Sequence, residues 1–330
     1  MAVYTHLTRT QISRYARWFG LSEPTAVKGI AAGTINTIYA LQCAEGRFIL
    51  RLLENRSRTD ARFEEALLLH LERAGLSVPS MLQSPRHGGV VTLSSRQHLS
   101  IFRWMPGRET AVFELEPHHA GQVGVFLGRM HAATQSFRRR RRNRFAPEYV
   151  DRFLSASERF VDGHSDQGMR RHIRSLRSEL TRFQWPTRVP VGVIHADLFV
   201  DNAFFRRGKL SGVLDFEMAC TSPLIYDVAA SLMDWAFEKD RFVRPRARAL
   251  LAGYQSERVF AAAEKRQLFA MCRYIATRYA TSRFYDFEVS AHPDAERAYK
   301  DYRHYMLRLG ALKSVGARGL RELVDSTAHH

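Results

Sequence analysis

The sequence predicts an α+β chain of two lobes, a small antiparallel-sheet lobe with one internal helix followed by a larger, mainly helical lobe. Three observations carry this expectation. Short runs of β-branched and aromatic residues crowd the first third of the chain, helical periodicity dominates the rest, and Met105-Pro106-Gly107 interrupts the chain where one pattern gives way to the other. The expected division is therefore 1–105 for the first lobe and 106–330 for the second.

Residues 8–19 read as a helix with Ile12, Tyr15, Ala16 and Phe19 on one face. Strands follow at 34–42 and 47–52, joined by a turn at Ala44-Glu45-Gly46. A helix is expected near 59–74, with Asp60 as its N-cap, Phe63, Leu67 and Leu71 along one side, and Gly75 at C′. Strands at 89–93 and 98–104, entered through a Gly- and Pro-containing turn at 85–89, complete the first lobe. Beyond the break, helices are expected at 116–136, 149–182, 222–237, 244–254 and 260–285. A strand-rich island interrupts them at 190–194, 203–205 and 210–214, with a turn at Arg207-Gly208-Lys209.

At 330 residues, with 45% hydrophobic and 25% charged, the composition is that of a globular chain and excludes a disordered or fibrous one. No run of 18 apolar residues occurs and the start lacks a secretory signal, so no membrane partner is expected. Three cysteines show neither CxxC nor zinc-ligand spacing, which points to a cytoplasmic chain with reduced thiols. The net charge of +17 raises nucleic-acid binding as an alternative. Only six of the basic residues are lysine, and the arginines are spread along the chain. The one cluster, arginines at 138–142, lies between a helical pattern and Pro147 and reads as a solvated loop or helix end. No zinc-finger, helix-turn-helix or aromatic RNP pattern accompanies it, so no nucleic-acid partner is expected. Oligomeric state is not legible.

The most informative segment is Gly192-Val193-Ile194-His195-Ala196-Asp197-Leu198-Phe199-Val200-Asp201-Asn202. It places His195 to Asn202 on a loop at the end of an apolar strand. Thirteen residues after Asn202, just past a second apolar strand, comes Asp215. Phosphoryl transfer needs such parts: a carboxylate to take the hydroxyl proton, and hard oxygen ligands for magnesium. Asp197 is the candidate base, Asn202 and Asp215 the candidate Mg²⁺ ligands, and His195 the residue that orders the loop. Upstream, the segment 28–37 joins strand-like stretches through small residues, where Gly33 and Thr34 would let backbone N–H groups approach the phosphates of ATP. Arg51 puts a cation on the next strand, and Glu64 on the following helix could hold it.

With this order of parts the chain resembles the aminoglycoside-phosphotransferase-like kinases, a branch of the protein-kinase-like fold that includes the choline kinases. The resemblance rests on HxDxxxxN at 195–202, Asp215-Phe216, and Tyr226-Asp227 at a helix start, a pair that looks structural. It implies ATP in the cleft, with adenine near Ile101, Phe102 and Arg103. Within that branch the chain is most similar to the type II homoserine kinases. It shares with them the start Met1-Ala2-Val3-Tyr4-Thr5, Lys28-Gly29-Ile30-Ala31-Ala32-Gly33, Ala219-Cys220-Thr221, Trp235-Ala236-Phe237-Glu238 and Leu251-Ala252-Gly253-Tyr254. That likeness implies phosphorylation of L-homoserine to O-phospho-L-homoserine, a step towards threonine. The chain departs from the pattern at Ile35-Asn36-Thr37-Ile38, at Arg51, at Glu217 after Asp215-Phe216, and at Met233-Asp234. These departures leave other acceptors open, namely choline, ethanolamine or an aminoglycoside, and also a nucleotide-binding pseudokinase. Glu217 and Asp234 are the candidate partners for an acceptor's ammonium group. No residue for its carboxylate is identified.

Overall fold

The structure is a computed structural model that describes residues 5–30, 36–54, 56–94, 96–290 and 299–328. Its contacts divide the chain into two compact units. The first takes the described residues up to Gly107 together with Ser211–Glu217; the second takes Arg108–Leu210 and the described residues from Met218 onward.

In the first unit, α1 (Arg9–Trp18) begins where Thr8 and Gln11 exchange side-chain and backbone hydrogen bonds in a capping box. Five strands follow: β1 (Ala26–Ile30), β2 (Thr37–Cys43), β3 (Gly46–Leu53), β4 (Val91–Thr92) and β5 (His98–Arg103). They form one antiparallel sheet in the order β1-β2-β3-β5-β4. The strand-like stretch expected before the small-residue segment is β1; its bounds were not legible because it lies at the sheet edge, with no buried residue and hence no alternation to read. Lys28–Ile30 are thus strand and not loop. Alternate residues Tyr39, Leu41, Phe48, Leu50, Leu52, Leu99 and Ile101 share a core with Ile12, Tyr15, Ala16 and Phe19 of α1. The strand period of two therefore turns Arg51 to the opposite face.

On the chain between β3 and β4 lies α2 (Arg58–Arg73), with Phe63, Leu67 and Leu71 buried. Its N-cap is Ser57, whose hydroxyl accepts from Asp60 N at 3.1 Å; Asp60, the expected cap, sits at the third helical position. Gly75 takes a φ of 78° just past the C-cap, a conformation glycine adopts without a Cβ clash.

The second unit contains α3 (Pro117–Ala133), α4 (Pro147–Asp162), α5 (Gln167–Arg182), β6 (Val191–Ile194) and β7 (Ala203–Arg206). The next strand, β8 (Lys209–Val213), begins in this unit and runs into Ser211–Glu217. Then come β9 (Cys220–Pro223), α6 (Ile225–Trp235), β10 (Phe237–Glu238), β11 (Arg241–Phe242), α7 (Arg244–Glu257), α8 (Ala262–Phe284) and α9 (Arg303–Asp325). The helix expected over 149–182 is two, because Asp166 caps a new one by accepting from Gly168 N and Met169 N. Residues 220–223, expected to be loop and helix start, form β9 and pair antiparallel with β6. No sequence expectation anticipated α9.

The arginine block is also more structured than expected. Arg141 O accepts from Thr221 N at 2.7 Å, which docks the main chain of the block on β9 while most of its side chains stay exposed. No described helix is long and apolar enough to cross a membrane.

Candidate active site

At the end of β6 the chain turns sharply through His195 and Ala196. Ala196 has a φ of 69°, a left-handed conformation that costs a residue with a Cβ about 1–2 kcal/mol. The strain is held by Asp227 in the first turn of α6. Its Oδ2 accepts from His195 N at 2.6 Å and its Oδ1 from Ala196 N at 2.7 Å. Oδ2 also accepts from Nε2 of the buried His131 at 3.1 Å. The Asp227 carboxylate can only accept, so Nε2 carries the proton of this contact. His131 Nδ1 lies 2.9 Å from the Tyr254 hydroxyl, which in turn accepts from the Arg258 guanidinium at 2.8 Å. The buried Asp227 thus satisfies two successive amides of the turn and is satisfied in turn.

The rest of the loop is fixed in the same manner. Asp197 N donates to Nδ1 of its own loop's His195 at 3.3 Å, so His195 orders the turn that presents Asp197. Asn202 Nδ2 donates to Asp197 O at 2.8 Å, and the amide oxygen of Asn202 has no hydrogen bond among the described residues. Trp235 Nε1 donates to Leu198 O at 3.1 Å. Asp234 Oδ2 accepts from Val200 N at 2.9 Å, and its other oxygen pairs with Arg308 at 2.9 Å. Asp234 is therefore engaged in bracing the loop. Of the Asp197 carboxylate, Oδ1 accepts from the Tyr279 hydroxyl at 2.8 Å, whereas Oδ2 has no hydrogen bond among the described residues. Burial holds the Tyr279 phenol well above its ordinary pKa, so it remains a donor.

In the first unit, Arg51 and Glu64 meet in a two-pronged pair, Nη1 to Oε1 at 3.1 Å and Nη2 to Oε2 at 2.7 Å, with both side chains buried. The guanidinium carbon also lies 4.8 Å from the Phe102 ring centre. Asp215 follows β8 with a φ of 59°, and its charge reaches Arg51. Glu217 is buried, accepts from Asn36 Nδ2 at 2.8 Å and lies 3.8 Å from Arg56 Nε, so its carboxylate is occupied by partners from its own unit. Ile101 and Phe102 are buried and Arg103 is exposed. The main chain there is spent on the neighbouring segment, since Ile101 O accepts from Leu82 N and Arg103 N donates to Ser80 O. A nucleobase that reads main-chain groups would have to find them beyond Arg103. Gly33 and Thr34 lie outside the described residues.

Sequence reasoning did not single out Tyr279, Asn36, Arg56 or His131. Tyr279 lies on α8 at a position whose periodicity reads as core, and Asn36 meets Glu217 across 181 residues of chain. No local signal marks either.

The model of the phosphotransferase enzyme family matches residues 26–260. The chain belongs to this phosphotransferase family. It is 37% identical over 292 residues to a homoserine kinase of Chelativorans sp. (strain BNC1), covering 87% of this chain and 88% of that one. To a homoserine kinase of Sinorhizobium medicae (strain WSM419) it is 35% identical over 328 residues, covering 97% and 98%. Among solved structures, an amicoumacin kinase in complex with AMP-PNP and Ca²⁺ superposes with a TM-score of 0.67 at 18% identity, over 98% of this chain and 94% of the other. The fold is the protein-kinase-like one of such phosphotransferases. The chain is a small-molecule kinase that uses ATP.

Proposed function

We propose that this phosphotransferase moves the γ-phosphoryl group of ATP to the hydroxyl of L-homoserine, with Asp197 as the general base. The observation that carries the base is the asymmetry of its carboxylate: one oxygen is clamped by Tyr279 and the other is left to accept a proton. His195, Asn202 and Asp227 position it through the loop backbone. The near full-length likeness to proteins named homoserine kinase supports the acceptor. Glu217 and Asp234, the carboxylates that would suit any cationic amino-alcohol, each have partners within the protein, which weakens the case for choline, ethanolamine or an aminoglycoside.

We assign Arg51, steadied by Glu64, to the phosphates of ATP. Gly33 and Thr34 remain proposed phosphate contacts, and Ile101–Arg103 remains the proposed neighbourhood of the adenine. Asn202 and Asp215 are the proposed Mg²⁺ ligands. Their donors fit: the Asn202 amide nitrogen is already used, so its oxygen is the available atom, and Asp215 adds a charged oxygen. Among the described residues no three His, Cys, Asp or Glu side chains gather into a metal cage, and magnesium bound through phosphates needs only one or two protein ligands. When bound, the ion would neutralise charge on the phosphates. ATP and three unpaired, buried thiols fit the cytoplasm.

The test is ADP release with Mg-ATP against L-homoserine, choline, ethanolamine, hydroxylysine and an aminoglycoside, with Asp197→Ala as the blank. We expect turnover on homoserine well above the others and a fall of about 10²-fold or more in the variant, ATP affinity being retained. Near wild-type kcat in Asp197→Ala would remove the base assignment. Preference for another acceptor would replace homoserine, and ATP binding without turnover would return the pseudokinase reading.

A further inference from the structure

We infer that the Arg278 guanidinium is the receptor for the acceptor's carboxylate, which makes the site selective for an amino acid over a simple amino-alcohol. The inference rests on the reading of homoserine as acceptor and names the residue that would enforce it.

Arg278 lies on α8 with only 3% of its surface exposed. Its guanidinium carbon sits 3.4 Å from the ring centre of Phe145 and 3.7 Å from that of Tyr279, so two aromatic rings hold the cation. Among the described residues it makes no hydrogen bond and no ion pair, and its Nε is sealed from solvent without a partner. The other two buried arginines among the described residues differ. Arg51 is paired with Glu64 and Arg246 with Glu238. The charge of Asp197 reaches Arg278, but no carboxylate touches it among the described residues, and a buried guanidinium in that state is costly because the rings replace only part of the hydration it has lost. An anion from outside the chain would remove that cost.

The location specifies the anion. Tyr279, whose ring carries Arg278, gives its hydroxyl to Asp197. The cation is thus one phenol ring away from the proposed base. Extended homoserine separates its hydroxyl from its carboxylate by three carbons, about 5–6 Å. That span matches one ring, so a hydroxyl at Asp197 would put the carboxylate at Arg278. The buried Tyr226 hydroxyl also lacks a hydrogen-bond partner among the described residues.

The experiment compares L-homoserine with 3-aminopropan-1-ol, which has the same alcohol and amine but no carboxylate. The wild type should prefer homoserine in kcat/KM by about 10²-fold or more. In Arg278→Gln the KM for homoserine should rise about 10²-fold, kcat and the KM for ATP should stay within a few-fold, and the preference should fall towards unity. Arg278→Lys should restore part of it. If Arg278→Gln loses both acceptors equally and keeps the preference, Arg278 is only a structural part and the inference fails alone. If the wild type shows no preference, the homoserine reading fails with it. Should the variants not fold, inhibition of the wild type decides: L-2-aminobutyrate should compete with homoserine and propylamine should not. Equal inhibition by the two overturns the inference.

Discussion

Ala196 and Asp215 each follow an apolar strand, and each is a residue with a Cβ in a left-handed conformation, at φ of 69° and 59°. For Ala196 the structure shows how the strain is met, through two amides on one carboxylate. Tyr279 completes the arrangement by occupying one oxygen of Asp197. Replacing Tyr279 with Phe should therefore release that oxygen and lower kcat by roughly 10-fold or less, with the KM for ATP unchanged. An unchanged kcat would mean that the phenol contributes only packing. At this scale Asp197, Asn202 and Asp215 could be proposed from sequence because their spacing is local. Tyr279 and Arg278 were not, since an aromatic and an arginine on a long helix match a core face and a solvated one equally well. The engagement of Glu217 and Asp234 was hidden for a related reason: residue type shows what a carboxylate can bind, not which partner reaches it first.

Helix packing determines how well His131 and Tyr254 meet. Between α3 and α7 the backbones approach so closely that a Cβ on Gly124 would strike Leu250 O, and one on Gly253 would strike Gly121 O. Only glycine permits this approach, and it brings Tyr254 of α7 onto His131 of α3. The start of α3 is sensitive to pH. Glu116 N donates to His119 Nδ1, which must be unprotonated to accept, and burial, reinforced by neighbouring His118, lowers the His119 pKa below its ordinary 6.5. Below that value the unfolded chain binds a proton that the folded chain resists, so stability falls as pH falls. Melting temperature should drop between about pH 7.5 and 5.5, and His119→Gln, which keeps an acceptor at this capping position without titrating, should flatten the drop. His98 is lowered by burial as well, so some slope should remain. An unchanged slope in the variant would exclude His119 as a contributor. Among the elements that sequence missed, β9 is too short to show alternation, whereas α9 does carry a helical spacing at Tyr305, Leu309 and Leu312 that went unread.

For the whole molecule, the two-lobe class was legible because strand and helix periodicities occupy separate stretches of chain. The path of the chain between units was not. Ser211–Glu217 group with the first unit although they follow the helical stretch in sequence, so Asp215 shares a unit with Arg51. The three cysteines add a property of the molecule as a whole. Cys43, Cys220 and Cys272 are all free and buried, and burial raises each thiol, Cys220 to about 12. A thiol held protonated and sealed is inert to alkylating reagents. The folded chain should therefore resist labelling over minutes, while the denatured chain should take up three equivalents. Rapid labelling of the folded chain would contradict the burial. Because Cys43 belongs to the first unit and the other two to the second, the labelling rate of each cysteine, followed by peptide mass, becomes a built-in clock for the opening of its own unit.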